Sequence, residues 1–212
     1  MSDLKYETET PYCSIVSVAS RSELFTALDH MQVSWAELAS YLGKINKATK
    51  NNLGVVMASC FGLYAIKAIK ITEPSPFYFL IGSDEKVLAG EIDSVMKKFY
   101  RVLFQSCSLQ IAMKEVDEKF KQFHVEKMFC IVFGNYISQQ CIGKGRNSRI
   151  ENLLSELVRN GMPRENLRSY RKQLKQLVKS NKADFDKYAN LFMHGRYSIT
   201  YEELYAFVAR KV

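Results

Sequence analysis

The sequence predicts an all-α protein, and three observations lead there. Apolar residues return at three- and four-residue steps over most of the 212 residues. Only 4 prolines and 10 glycines are present, too few for the many tight turns of an all-β chain. Four Ser/Thr-x-x-Glu segments, beginning at Ser20, Ser34, Ser148 and Thr200, have the capping-box form that opens helices. A hydrophobic content of 47% with 25% charged residues is that of a globular chain able to bury a core.

Residues 1–19 show no firm pattern. Ser20-Arg21-Ser22-Glu23, followed by Leu24, Phe25 and Leu28, predicts a helix start. Ser34-Trp35-Ala36-Glu37 predicts a short helix through Leu38, Tyr41 and Leu42, stopped by Gly43. Leu53 to Ile71 is apolar on most sides, but Lys67 and Lys70 close it before the ~20 apolar residues of a membrane span, which favours a buried helix. Thr72-Glu73-Pro74-Ser75-Pro76 breaks any helix, because proline lacks the N–H donor and restricts the residue before it. Phe77 to Ile81 reads as a short strand or an extended linker ended by Gly82-Ser83. The domain boundary is placed there, giving an N-terminal helical region, 1–82, and a helical bundle, 83–212.

Within the bundle, Val87, Leu88, Ile92, Val95, Met96, Phe99, Tyr100 and Leu103 keep a 3.6-residue period and predict one long amphipathic helix, with a possible continuation through Cys107, Ile111 and Val116. His124 to Ile142 is apolar nearly all round, as in a helix at the middle of a bundle. Gly143-Lys144-Gly145-Arg146-Asn147 reads as a flexible basic loop, and Ser148-Arg149-Ile150-Glu151 as the start of a helix that Gly161 ends. Residues 164–182 carry Arg164, Arg168, Arg171, Lys172, Lys175, Lys179 and Lys182 against Glu165 alone, with Leu167, Tyr170, Leu174, Leu177 and Val178 on the other side. Asn181 to Asp184 interrupt before Phe185 opens the next helix, and Thr200 with Glu203 caps the last one.

A net charge of +8 makes a polyanion a sensible partner. The basic face of 164–182 is either a solvated surface or a phosphate track, on which binding weakens steeply with salt. Tyr170, Tyr188 and Tyr197 are candidates to stack on unpaired bases, although tyrosines at helical spacing also serve a core. The 5 cysteines are odd in number and widely spaced, and with no signal peptide they read as reduced thiols of a cytoplasmic protein. His30, His124 and His194 lie far apart, without His-Glu-x-x-His or Cys-x-x-Cys spacing, so no metal site and no cofactor is expected.

The chemistry concentrates at Lys187-Tyr188-Ala189-Asn190-Leu191-Phe192-Met193-His194-Gly195-Arg196-Tyr197. Asn190 and His194 are four apart and share a helix face. The plain structural explanation is a histidine favoured by the helix dipole, with Gly195 as cap. The segment Ala189 to Arg196, followed by Tyr201-Glu202-Glu203-Leu204, also resembles the C-terminal signature of the HEPN family (higher eukaryotes and prokaryotes nucleotide-binding): Arg, a polar residue, a few more residues, then His and commonly Gly. The resemblance covers residues 84–212 in architecture and only the late helix in motif.

The resemblance implies a HEPN-like helical bundle and metal-independent endoribonuclease activity of a toxin or phage-defence kind. It also implies a homodimer in which two motifs line one cleft. Cleavage through the ribose 2′-hydroxyl needs a base and an acid, and a two-fold axis supplies two copies of one imidazole. Histidine suits both roles because its ordinary pKa lies near neutrality. In that scheme His194 and Asn190 are catalytic, and Arg168, Arg171, Lys172, Lys175, Lys179, Arg196 and Tyr197 bind RNA, single-stranded or tRNA. An antitoxin or defence-complex protein is a further partner, and no membrane is involved. The motif arginine, which would stabilise charge on the phosphate, is replaced by Ala189. Either the chain is a natural non-cleaving relative that binds RNA or nucleotide, or the alanine silences a nuclease while keeping the helix.

A rival from another class lies at residues 36–53. There a helix, Gly43 and a second segment with Lys47, Thr49, Lys50 and Asn51 resemble a helix-turn-helix DNA-binding regulator.

Overall fold

The computed structural model describes residues 13–16, 24–26, 32–116 and 118–210. Helix predominates, and the chain divides into two compact units, Met1–Val125 and Glu126–Val212.

The first unit is not all-α. β1 (Cys13–Val16), β2 (Leu24–Thr26) and β3 (Gln32–Ser34) precede α1 (Trp35–Ala48). After it come β4 (Leu53–Met57), a 3₁₀ helix at Gly62–Ala68, β5 (Phe79–Ser83), α2 (Ala89–Ser106), α3 (Leu109–Met113) and β6 (Phe120–His124). Four strands form a sheet in the order β1-β4-β5-β6, parallel across the first two junctions and antiparallel at the third. Every residue of β4 and β5 is buried. A parallel strand covered on both faces shows no alternation, so its sequence reads as an unbroken apolar run. That is why the helix expected from Leu53 to Ile71 is instead β4, a turn and a 3₁₀ helix. The segment before Gly82 is a strand, as one reading allowed, but Gly82 and Ser83 lie inside it. The boundary placed at 82/83 falls within this unit, because β6 returns to pair with β5, Ile81 opposite Gln122.

Ser34 caps α1 as its spacing predicts, its Oγ accepting from the Glu37 N–H at 3.2 Å. Gly43 does not stop that helix, which runs on to Ala48. The helix-turn-helix reading is thereby corrected: no second helix follows, Leu53 starts a buried strand, and Asn51 is fully buried. The helix expected after Ser20 is corrected too. Leu24–Thr26 pairs antiparallel with β3, and Ser20–Glu23 lie outside the described residues. α2 matches the long amphipathic helix but ends at Cys107, whose φ of 49° is left-handed, so it does not continue through Val116.

One polar knot ties α1 to the sheet. Asn46 Nδ2 donates to Asn51 Oδ1 and to the Ser75 carbonyl, both at 3.0 Å, and Asn46 Oδ1 accepts from the Leu53 N–H at 3.1 Å. All three polar side chains are fully buried. The knot therefore sets where β4 begins and how the Pro74-Ser75-Pro76 turn enters β5. Asn46→Ala should lower the stability of this unit by about 2–3 kcal/mol, measured as a shift in urea midpoint, because it strands buried donors and acceptors on its partners.

The second unit is all helix among the described residues: α4 (Val125–Tyr136) with a π turn at Ile137–Cys141, α5 (Gly143–Arg159), a 3₁₀ turn at Arg164–Asn166, α6 (Leu167–Leu177), α7 (Lys182–Phe192) and α8 (Tyr201–Ala209). The loop expected at Gly143–Asn147 is instead the opening of α5, and Ser148 lies inside the helix. A Cβ at Gly145 would sit 1.9 Å from the Gln139 carbonyl oxygen, so the helix can follow the π turn this closely only with glycine there. Among the described residues, no helix is long and apolar enough to cross a membrane.

Candidate functional site

α7 is oriented by aromatic packing. Asn181 caps its N-terminus, accepting from the Asp184 N–H at 2.7 Å. Phe185, Ala189 and Phe192 recur on one helical face, and all three are fully buried. The Phe185 ring packs edge-on to Phe129 and Phe133 of α4, at 5.4 and 5.5 Å between centroids, and Phe192 stacks on Phe129 at 6.2 Å. These contacts fix where the C-terminal end of α7 points.

At that end the backbone reverses. The Gly195 N–H donates to the Asn190 carbonyl at 3.0 Å and the Arg196 N–H to the Met193 carbonyl at 2.9 Å, the first being the long bond of a Schellman turn. In that register the left-handed position, most often glycine, is His194, with φ 53°; Gly195 follows at φ 76°. A non-glycine residue costs about 1 kcal/mol there, and histidine is among the types that tolerate it best. Hence Gly195 is not the cap residue the sequence suggested. The histidine caps, and the glycine allows a second left-handed residue. Asn190 is exposed and its Oδ1 lies beside Gly195, while His194 is half-buried. Asn190 and His194 thus bracket one turn but do not share a helix face, because α7 ends at Phe192 and His194 lies past it with left-handed backbone. Ala189, where the signature it resembles has arginine, points inward with 0% exposure.

The chain beyond the turn is held by a residue that sequence reasoning missed. Glu126, in the first turn of α4 and 3% exposed, offers one carboxylate oxygen to the Ser198 N–H at 2.7 Å, the Ser198 hydroxyl at 2.9 Å and the Ile199 N–H at 2.8 Å. No local signal marks it, since its partners lie 72 and 73 residues away. Thr200 then caps α8 reciprocally with Glu203, as its spacing predicted. The Thr200 backbone bond, then its hydroxyl, holds the Glu203 carboxyl below the usual range. Tyr201 donates to the Ser180 carbonyl at 3.0 Å, tying α8 to the approach of α7.

The remaining candidates separate. Arg168, Arg171, Lys172, Lys175 and Lys179 are all exposed, but Arg171 is paired with Glu151 at 2.7 Å. Arg196 and Tyr197 are half-buried in the loop after Gly195, and the Tyr197 ring packs edge-on to Phe185 at 6.0 Å, so it serves the core. Tyr188 lies under the Lys187 ammonium at 5.5 Å. His124 packs against Tyr78 in the first unit, and His30 lies outside the described residues. Among the described residues, no group of three or more His, Cys, Asp or Glu side chains could hold a metal ion. Cys60, Cys107, Cys130 and Cys141 are free thiols.

Compared with known proteins, the chain matches no family model, no curated sequence and no solved structure. The site therefore stands on its own geometry.

Two measurements check that geometry. Glu126→Ala should cost about 3 kcal/mol in denaturant unfolding and Glu126→Gln about 1 kcal/mol, because the amide keeps one oxygen to accept where alanine strands three donors. Burial, then the Glu126 carboxylate, pushes the Cys130 thiol up to about 12. A raised thiol pKa favours the neutral form, so at pH 8 only about one Cys130 in ten thousand is thiolate. Iodoacetamide at that pH, followed by mass mapping, should label exposed Cys107 and spare Cys130 until the protein unfolds.

Proposed function

We propose that the Glu126–Val212 unit is a HEPN-type, metal-independent endoribonuclease module of toxin or defence kind. This chain is a non-cleaving form of it, because Ala189 occupies the arginine position. The observation that carries the reading is the Asn190-His194-Gly195 turn. An imidazole is held at a helix end in a strained left-handed backbone, with a polar side chain one turn before it and an anchored loop after it. Strain kept at a half-exposed histidine supports a functional demand on that position.

In the proposed reaction one His194 takes the proton from a ribose 2′-hydroxyl. The freed oxygen attacks the adjacent phosphorus, and the His194 of a second copy protonates the departing 5′-oxygen, leaving a 2′,3′-cyclic phosphate. Asn190 orients the imidazole or the phosphate. What the chain lacks is a fixed cation on the phosphoryl oxygens as charge builds there. Lys187, about two turns before the cap, is exposed and points away from the buried Ala189 face.

The burial of Ala189 between Phe185 and Phe192 favours a second reading, an RNA-binding relative that never cleaves. An arginine there has to lay its stem along the aromatic rings and carry its head out past the last turn. Ala189→Arg decides between them. With EDTA present, the silenced-nuclease reading expects cleavage of a single-stranded RNA, ending in 2′,3′-cyclic phosphate, and its loss on adding His194→Ala. It also expects a dimer by light scattering. An Ala189→Arg protein with an unaltered circular dichroism spectrum that binds RNA and leaves it intact selects the non-catalytic reading, and no RNA binding by either chain overturns both.

A further inference from the structure

The positive charge of this protein is not spread over its surface. Residues 143–179, from the start of α5 to just past α6, hold ten of the 30 basic residues and three of the 22 acidic ones, and so seven of the eight net charges. A merely solvated helix face usually mixes both signs. Here the two helices form a hairpin whose inner seam is Ile150, Leu154 and Val178, with Leu153, Leu167 and Leu174 packed against them. The cations are left on the outside.

Their arrangement on α6 is ordered. At 100° per residue, Arg168, Lys172 and Lys175 fall within about 60° of one another on the helix, one cation per turn of about 5.4 Å, and Lys179 follows just past the C-cap Val178. All four are exposed, and no ion pair among the described residues engages them. Arg171 is set apart by its bond to Glu151. Arg146 of α5 reaches the Lys175 carbonyl at 2.5 Å, binding the opening of α5 to the last turn of α6 and offsetting the negative end of that helix where Lys175 and Lys179 sit.

We propose that this α5–α6 hairpin is a docking surface for single-stranded RNA, gripped through successive phosphates by Arg168, Lys172, Lys175 and Lys179. The choice of RNA rests on the ribonuclease reading; the surface itself rests on the charge and its spacing. A single line of cations addresses one backbone at a time. An A-form duplex offers such a helix no entry, because its major groove is too deep and narrow for side chains to read. An anionic membrane would demand apolar side chains beside the cations. The exposed Tyr170 and Leu177 instead lie about 160–200° around the helix from Arg168.

The test is fluorescence anisotropy of the full chain with a labelled 20-nucleotide single-stranded RNA, across a salt series. Replacing all four exposed residues by alanine, which at Arg168, Lys172 and Lys175 suits the helix, should weaken binding at least tenfold and flatten the log–log salt slope by about 3. Arg171→Ala should change affinity less than threefold. An unchanged affinity in a folded fourfold variant, equal binding of a same-length RNA duplex, or tighter binding to anionic phospholipid vesicles would each overturn the proposal. Loss of binding alongside a cleavage-dead Ala189→Arg protein removes the nuclease reading and leaves the surface standing. Restored cleavage with unchanged binding in the fourfold variant does the reverse.

Discussion

A single buried carboxylate oxygen holds the chain between α7 and α8 in place. Glu126 receives two backbone N–H groups and one hydroxyl from Ser198 and Ile199, all within 2.9 Å. A charged acceptor in a dry setting forms strong hydrogen bonds, and a setting with three donors is one that a carboxylate can occupy without remaining unpaired. The segment from Gly195 to Ile199 is consequently pinned at both ends, by Asn190 at the start and Glu126 at the finish. His194, Arg196 and Tyr197 belong to a fixed turn rather than to a free loop.

That anchoring works because α4 and α7 are registered by rings. Phe129 and Phe133 against Phe185 and Phe192 leave little freedom to slide, since close-packed aromatic faces tolerate displacement poorly. The same packing places Ala189 in the dark interior while Asn190, the next residue, stays wet. Apolar contacts thus divide a short motif into a structural residue and a candidate chemical one. The cationic hairpin uses the opposite arrangement: a thin apolar seam inside, and side chains that water or a polyanion can reach outside.

The order of helices in the second unit was legible wherever local chemistry decides local structure. Thr200 with Glu203, the arrest near Gly161, and the apolar stripe of α5 depend on contacts within a few residues, and they appear as read. The first unit was misread where burial was complete. Val55 and Val56 are enclosed on both sides of a strand, so nothing in their sequence alternates, and length and β-branching were the remaining clues. Gly43 inside α1 and Gly145 inside α5 show the companion error, since a glycine breaks a helix only if packing does not favour continuing it.

By itself the sequence determined the helical content of the second unit, the capping of its last helix by Thr200 and Glu203, and the clustering of positive charge. All of these follow from spacing along one helix or from counting. Only the tertiary structure decided that His194 carries the left-handed backbone, that Ala189 faces the rings, that Arg171 is neutralised while its neighbours are not, and that Glu126 clasps a loop 72 residues away. Those are properties of pairs distant in the chain, and a hydrogen bond leaves no trace in either partner's local sequence until folding brings donor and acceptor together.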